Sequence, residues 1–290
     1  MEQIYRADDP TSRRLRMQIS YQNALSRYRT LRGLGGVSWV TWSIVLLTTA
    51  LWCFTAYQAA LAVGAHNIRD VLANIISNAV NVQDRDNNAI ATVLIIYGAK
   101  DNALILAGQY WRFITPVFLH VNLLHIGLNM LNLAVLGVFL ERIVGHLRFF
   151  LIYMVTGVVS IIASFYFAPQ EISVGASGAI FGLVGAYSIF VLLHRRALPR
   201  KGIPALLWLV FIIGINLSIG LFVSTVDNYA HVGGLLSGCL LGWEFTPLYT
   251  LSPTKALIDA HSLSRRWPLA LLTIVGTLVL ATIAVHRMGG

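Results

Sequence analysis

The sequence predicts an all-α, polytopic membrane protein. Hydrophobic residues make up 57% of the 290 residues and charged residues only 11%, whereas a soluble globular protein carries about 25% charged residues. The apolar residues also collect in runs of about 20, the length that crosses a bilayer as a helix. This composition excludes a water-soluble enzyme, a nucleic-acid-binding domain and a disordered chain, and basic loops beside a membrane account for the net charge of +9.

Seven apolar runs are long enough to span a membrane. They cover residues 37–63, 118–140, 149–168, 176–193, 203–225, 228–245 and 268–286. They divide the chain into a basic tail (1–36), a six-span core (37–247) with a long first loop (64–117), a linker (248–267) and a seventh span with a short tail (268–290). Cys53 and Cys239 lie within the runs, so we expect two buried apolar side chains and neither a disulfide nor a metal site.

The basic residues between the spans predict the orientation of the chain. If the N-terminus is cytoplasmic, 16 of the 21 lysines and arginines lie on the cytoplasmic side, which is the asymmetry that the positive-inside rule describes. The first loop and the C-terminus are then exoplasmic. We expect a bacterial plasma membrane, and the arginine-rich start leaves a mitochondrial or plastid transit peptide as the alternative.

The first loop contains two segments suited to the membrane surface. Apolar residues recur at helical spacing from Ile68 to Val80, which predicts an amphipathic helix at the interface. Further along, Tyr110–Phe113 combines aromatic side chains with an arginine, a composition typical of the headgroup level. Long ordered loops tend to carry function in compact proteins, which makes this loop a functional candidate.

The second span carries a stripe of polar side chains. Four of them share one helix face because they are three, four and three residues apart. They are Asn122, His125, Asn129 and Asn132. Polar groups are costly in hydrocarbon and mark functional candidates. We expect Asn122 to cap the helix, and Asn132, the deepest of the four, to hydrogen-bond a neighbouring helix.

The fourth span begins with a serine between glycines, in the sequence Gly175-Ala176-Ser177-Gly178. Backbone N–H groups at a helix N-terminus can stabilise a developing oxyanion. Taken alone, the sequence is more typical of close helix packing, with Gly178 and Gly182 forming a small-residue face. A serine hydroxyl is a weak nucleophile unless an adjacent base takes its proton, so catalysis at Ser177 needs a base nearby.

The sixth span contains a candidate base. His231 lies about one turn inside this span and enters from the same side of the membrane as Ser177. Matched depths on two helices are the minimum geometry for a serine nucleophile with a histidine base. The span also repeats glycine every four residues, which predicts a smooth face against a neighbouring helix. These glycines are Gly234, Gly238 and Gly242.

Two further side chains bear on His231. Asp227 precedes it by four residues, but at the start of the helix we expect Asp227 or Asn228 to be an N-cap rather than the third member of a catalytic triad. Phe181 lies four residues after Ser177, on the same helix face. Its ring is expected to pack on the imidazole and take the place of the third triad member. Ser177 and His231 are thus a candidate nucleophile and base.

Several motifs together resemble the rhomboid intramembrane serine proteases over residues 93–245. They occur in the family's order at Gln109–Arg112, His120–Asn129, Gly137–Gly145, Gly175–Gly178 and Ala230–Gly234. The resemblance implies a rhomboid-like bundle of six transmembrane helices with an added seventh helix. It also implies a nucleophile at Ser177 and a general base at His231. His125, Asn129 and the backbone N–H of Ser177 would form the oxyanion hole.

The resemblance implies supporting residues as well. A histidine near the site would be structural or organise water, a tryptophan–arginine pair would brace the bundle, and a glutamate–arginine pair would stabilise the cytoplasmic end. Glycines would flank the dyad. In this sequence these positions are His120, Trp111, Arg112, Glu141, Arg142, Gly175, Gly178 and Gly234. No metal or organic cofactor is implied.

The resulting hypothesis is hydrolysis of a peptide bond in or near a transmembrane segment of another membrane protein, with residues 224–228 as a candidate lid. Three alternatives stay open. A rhomboid-fold protein can bind membrane helices without cutting them. A haem protein would use His125 and His231 as axial ligands, and a transporter would place its polar residues near the membrane midplane.

Overall fold

A computed structural model describes residues 36–77, 89–194, 227–251, 257–259 and 261–289. This part of the chain is almost entirely helical. In chain order its elements are α1 (Trp39–Ala62), α2 (Ile68–Ser77), α3 (Ala89–Tyr97), α4 (Asn102–Leu106), α5 (Leu123–Val144), α6 (His146–Phe167), α7 (Ser177–His194), α8 (Asn228–Phe245), β1 (Tyr249–Leu251), β2 (Leu257–Asp259) and α9 (Leu263–Gly289). Two short 3-10 turns, Tyr110–Phe113 and Thr115–Phe118, connect α4 to α5.

Five of the described helices, α1, α5, α6, α7 and α9, are long and apolar enough to span a membrane. They correspond to the first, second, third, fourth and seventh predicted spans. The sixth predicted span forms α8, whose glycine, histidine and serine residues dilute its apolar content. The fifth predicted span, 203–225, lies outside the described residues, as do the basic tail up to residue 35 and residues 224–226. The all-α, polytopic membrane fold is confirmed.

The helix of the second span begins at Leu123, five residues after the start of its apolar run. A 3-10 turn that includes Pro116 precedes it, and Asn122 then caps α5 by accepting a hydrogen bond from the His125 N–H at 2.8 Å. The predicted cap at Asn122 is confirmed. Hydropathy did not reveal the boundary because Leu119 and Val121 are buried in the bundle although they precede the helix.

A single π-helical turn, Leu133–Gly137, lies in the middle of α5. His125 and Glu141 are 16 residues apart, which on an ideal α-helix places them about 160° apart around the axis. The extra residue of a π turn lowers this angle by about 100°. The π turn therefore lets both side chains face the interior of the bundle, with His125 near one end of α5 and Glu141 near the other.

Glu141 joins α5 to the start of α1. It is 1% exposed, and its carboxylate accepts hydrogen bonds from the backbone N–H groups of Val40 (3.1 Å) and Thr41 (2.8 Å) and from the Thr41 hydroxyl (2.6 Å). The first N–H groups of a helix have no partner within it, and this carboxylate is their acceptor. His146 Nδ1 lies 2.5 Å from Glu141 Oε1. Arg142, the other residue expected to stabilise this end, is exposed.

Glycines bring α7 and α8 into direct backbone contact. A Cβ added at Gly234 would lie 2.0 Å from the carbonyl oxygen of Gly178, and one added at Gly238 would lie 2.0 Å from that of Gly182. No side chain fits at such distances, so the two helices meet backbone to backbone at these positions. The close packing that the glycine spacing predicted is confirmed.

Replacing Gly238 with alanine is expected to lower the free energy of unfolding by about 3 kcal/mol, because the added methyl group fits beside Gly182 only if the two helices separate. Gly276→Ala on α9 is the matched control, since a Cβ there meets no atom within 4 Å and alanine favours a helix. Unfolding in mixed detergent micelles measures both variants. Wild-type stability in Gly238→Ala would contradict the packing.

Within the predicted linker, β1 and β2 pair as a short antiparallel ribbon, in which Tyr249 lies opposite Asp259. Arg148 near the start of α6 holds this ribbon. Its Nη2 donates to Asp259 Oδ2 at 2.7 Å and to the carbonyl oxygen of His261 at 2.6 Å. The linker is therefore anchored to the same end of the bundle as Glu141.

The seventh span packs against the described bundle, and most of its described surface is exposed. Thr273 on α9 donates its hydroxyl hydrogen to Glu244 Oε2 on α8 at 2.9 Å, and Arg266 Nη1 donates to the Glu244 carbonyl oxygen at 2.6 Å. Ala284, near the other end of α9, is buried in the main apolar core. Contacts therefore hold α9 along much of its length.

The expected burial of the two cysteines is wrong, and so is the expected hydrogen bond from Asn132 to a neighbouring helix. Cys53 is exposed on α1 and Cys239 is half-buried. Asn132 is exposed and donates to the carbonyl oxygen of Leu128 in its own helix at 2.8 Å, rather than to a neighbouring helix. The outer faces of membrane helices are apolar because lipid surrounds them, so hydrophobicity does not predict burial there. An asparagine amide can also donate its hydrogen bond to a carbonyl oxygen on the preceding turn of its own helix.

The amphipathic segment of the first loop forms α2. Val71 is buried, while Ile68 is 72% exposed. Val80, at the end of the predicted segment, lies outside the described residues. The structure thus gives α2 one packed side and one apolar exposed side, as an interfacial helix requires.

Candidate active site

Ser177 is the first residue of α7 and follows the loop at residues 168–176. In this loop Gly175 has a φ of +128°, which L side chains rarely adopt. A Cβ at Gly175 would also lie only 2.8 Å from His125 Nε2 and 3.8 Å from Ser177 Oγ. Glycine at this position therefore lets the His125 imidazole reach the backbone beside Ser177.

His231 and Ser177 are in hydrogen-bond contact, with Nε2 and Oγ 2.8 Å apart. His231 is buried in the first turn of α8. Asp227 caps that helix by accepting a hydrogen bond from the Ala230 N–H at 2.9 Å, which confirms the predicted N-cap. Within the described part of the chain, His231 Nδ1 has no hydrogen-bond partner, so the described geometry is that of a pair rather than a triad.

The ring of Phe181 stacks on the imidazole of His231. Their centroids are 4.4 Å apart and their planes differ by 18°, which confirms the predicted stacking. Phe181 follows Ser177 by one helical turn, so α7 carries both the hydroxyl and the ring. The stack restricts rotation of the imidazole, which is the orienting role that a carboxylate has in a triad.

His125 and Asn129 approach the same region from α5. The imidazole of His125 lies beside Gly175, next to Ser177. Asn129 is buried, and its Nδ2 donates to the carbonyl oxygen of His125 at 2.9 Å. An amide nitrogen carries two hydrogens, and this bond uses one of them. The structure thus brings His125 to the loop at residues 168–176, which we call the serine loop. One hydrogen of the Asn129 amide nitrogen is bound within its own helix.

His120 is fully buried and contacts the serine loop. Its Nε2 accepts a hydrogen bond from the Ala176 N–H at 3.3 Å, and its ring centroid lies 4.9 Å from that of His125. The Gly175 N–H donates to the carbonyl oxygen of Pro116 at 2.9 Å. The segment before α5 therefore holds the backbone of the two residues that precede Ser177.

Arg112 holds the first loop together. Its Nη1 donates to the carbonyl oxygens of Ile95 (2.7 Å) and Ala99 (2.8 Å), and its Nε donates to Gln109 Oε1 (2.7 Å). The Trp111 ring centroid lies 4.5 Å from the guanidinium carbon. Burial lowers the pKa of the Arg112 guanidinium. These contacts join the end of α3 to the 3-10 turn and are the kind that a buried cation requires.

Two charged residues, Lys100 beside the loop at residues 168–176 and Glu171 within it, were not predicted from the sequence. Partial burial raises the pKa of the Glu171 carboxyl above its ordinary value, the negative charge of Asp227 adds to the shift, and Lys100 opposes it. Lys100 is fully buried. A lysine directly after the apolar run of α3 was the available signal, but such lysines are usually solvated.

The chemistry that this arrangement supports is nucleophilic. A serine hydroxyl contacts an imidazole at the N-terminus of α7, where backbone N–H groups can stabilise an oxyanion. Among the residues that the structure describes, no group of three or more His, Cys, Asp or Glu side chains could hold a metal ion.

The chain is similar to several known proteins. A Rhomboid domain model matches residues 107–247. The chain is 44% identical over 145 residues to Rhomboid protease GluP of Bacillus subtilis, an alignment that covers 50% of this chain and 28% of that protein. It is 35% identical over 213 residues to RHOMBOID-like protein 6, mitochondrial, of Arabidopsis thaliana, covering 71% of this chain and 68% of that protein.

A third relative is the Putative rhomboid protease YdcA of Bacillus subtilis, 32% identical over 143 residues, with 49% of this chain and 70% of that protein covered. The chain thus spans less than a third of the length of GluP and about two thirds of the length of the other two relatives. The match to the Rhomboid domain model covers the segments that carry Ser177 and His231. This chain belongs to the rhomboid family.

Proposed function

We propose that this rhomboid protein is an intramembrane serine endopeptidase that cleaves peptide bonds in or near transmembrane segments of other membrane proteins. The observation that carries the proposal is the 2.8 Å contact between Ser177 Oγ and His231 Nε2. A serine needs an adjacent base to act as a nucleophile, and the contact supports His231 as the proposed base. Relatives that are named rhomboid proteases support the same class of reaction.

The reaction begins when Ser177 Oγ attacks the carbonyl carbon of the scissile bond and His231 Nε2 takes the hydroxyl proton. Negative charge then develops on the carbonyl oxygen near the start of α7. The proposed donors to this oxyanion are the backbone N–H of Ser177 and the side chains of His125 and Asn129. His231 gives the proton to the leaving amine, and water then hydrolyses the acyl-enzyme with His231 again as the base.

The proposed substrate is a membrane helix that unwinds locally at the dyad. Helical backbone groups are all hydrogen-bonded within the bilayer, so a peptide bond becomes accessible only where the helix opens. We place residues 37–247 in the peptidase core, with the N-terminus cytoplasmic and the start of α7 facing the exoplasmic side of the plasma membrane. The excess of lysine and arginine on the cytoplasmic side, 16 of 21, supports this orientation.

A fluorophosphonate probe and a panel of single-span substrates test the proposal on the full chain in proteoliposomes. We expect the wild type to react with the probe and to cleave at least one substrate near the exoplasmic end of its transmembrane segment. Ser177→Ala is expected to do neither. A wild type that binds substrate helices but neither cleaves them nor reacts with the probe would replace the proposal with a non-proteolytic, helix-binding rhomboid.

A further inference from the structure

Lys100 contacts the loop before Ser177 through its main chain. It lies between α3 and α4 and is fully buried. Its N–H donates to the Ser173 carbonyl oxygen at 3.0 Å, and its carbonyl oxygen accepts from the Ser173 N–H at 3.3 Å. Any residue except proline could make these two bonds, so they do not explain a lysine at this position.

The side chain of Lys100 makes two more contacts with the same loop. Nζ donates to the carbonyl oxygen of Ala168 at 2.6 Å and to that of Glu171 at 2.9 Å. Ala168 is the C-cap of α6, where carbonyl oxygens lack helical partners and the helix dipole favours a cation. Glu171 lies beyond the helix. The ammonium group therefore joins the end of α6 to the segment that leads to Ser177.

The loop at residues 168–176 is thus held at both ends. Lys100 holds its first half, and the backbone contacts of Gly175 with Pro116 and of Ala176 with His120 hold its second half. The path of the loop between α6 and α7 depends on both sets of contacts. It determines where the first N–H groups of α7 and the hydroxyl of Ser177 lie relative to His231.

We infer that Lys100 is a positioning residue for the proposed peptidase: its ammonium group holds the loop in the conformation that keeps Ser177 Oγ against His231. The inference rests on the proposed function. Lys100 would then act on the Ser177–His231 pair through the loop, because its ammonium group touches neither the substrate nor the reacting atoms. Small displacements of a nucleophile cost large factors in rate, so loss of this anchor acts on turnover rather than on substrate binding.

Lys100→Met removes the ammonium group, nearly keeps the side-chain volume and leaves the main-chain bonds to Ser173 in place. We expect it to lower kcat and the rate of fluorophosphonate reaction at Ser177 about tenfold, with KM changed less than about twofold. Lys100→Arg restores a cation and is expected to recover the probe reaction to within about threefold of the wild-type rate.

Asn102→Leu is the matched control. Asn102 Nδ2 donates to the carbonyl oxygen of Phe165 at 2.8 Å, so it also contacts the end of α6 from the first loop, and within the described residues its side chain makes no hydrogen bond to residues 168–176. We expect Asn102→Leu to lower the Tm without slowing the probe reaction. A wild-type reaction rate in Lys100→Met, or an equal loss of rate in Asn102→Leu, would overturn the inference.

Hydrogen–deuterium exchange separates this inference from the proposed function, because it needs no activity. Lys100→Met is expected to speed exchange of the Ser173, Gly175 and Ala176 amides, while Asn102→Leu leaves them protected. Unchanged exchange in Lys100→Met would overturn the inference even if the wild type is an active protease. A wild type that does not react with the probe would overturn the proposed function, while faster exchange in Lys100→Met would still support the loop anchor.

Discussion

Replacing His231 with alanine is expected to lower kcat for substrate cleavage by at least about a thousandfold, because Ser177 then lacks a base within hydrogen-bond distance. Ser177→Ala is expected to cause a similar loss. The double variant should be no worse than either single variant, since a nucleophile and its base act as one unit. Initial rates of cleavage of a single-span substrate in proteoliposomes measure all three variants.

Two matched variants control for unspecific effects. Ser188 lies further along α7 and donates its hydroxyl hydrogen to the Val184 carbonyl oxygen at 2.9 Å, so Ser188→Ala removes a serine hydroxyl from the same helix without touching the dyad. His286 is an exposed histidine near the end of α9. Ser188→Ala and His286→Ala are expected to cleave at wild-type rates. More than a tenth of wild-type activity in His231→Ala would show that another group is the base.

The second large effect is expected at the opposite end of the bundle. Glu141→Gln should lower the free energy of unfolding by about 3 kcal/mol, because an amide replaces a buried carboxylate that accepts three hydrogen bonds from Val40 and Thr41. Glutamine keeps one acceptor oxygen but turns an N–H₂ group toward N–H donors. Denaturation in mixed detergent micelles measures the loss.

Arg142→Gln is the control for Glu141→Gln. Arg142 is the next residue along α5 and is exposed, so its substitution is expected to change stability by less than about 0.5 kcal/mol. At temperatures well below its Tm, Glu141→Gln is expected to cleave substrate at about the wild-type rate. The two ends of the bundle are far apart, because α7 alone is about 27 Å long. A stability loss no larger than that of Arg142→Gln would contradict the role of the carboxylate as the cap of α1.

Most helices could be predicted because hydrocarbon imposes a strong and local constraint on sequence. A spanning helix needs a continuous apolar run, so α1, α6, α7 and α9 were identified from composition alone. The start of α5 was not, because Leu119 and Val121 are apolar for a different reason: they are buried among other first-loop residues before the helix begins. Hydropathy does not distinguish burial in protein from burial in lipid.

Contacts of polar side chains were less predictable than their positions. Asn132 shares a helix face with His125 and Asn129, yet it is exposed and bonds its own helix. Lys100 follows an apolar run like many solvated lysines, yet it is fully buried against the end of α6. In both cases the outcome depends on which distant backbone groups lie within reach, and a single sequence does not contain those distances.

The sequence by itself determined the class of protein, the positions of most spans and the few polar side chains inside them, because each follows from the local cost of placing polar groups in hydrocarbon. Only the tertiary structure decided which of these side chains meet. Ser177 and His231 are 54 residues apart in the chain and 2.8 Å apart in space. They meet because Gly178 and Gly234 let two helix backbones touch, and such an approach depends on the packing of whole helices.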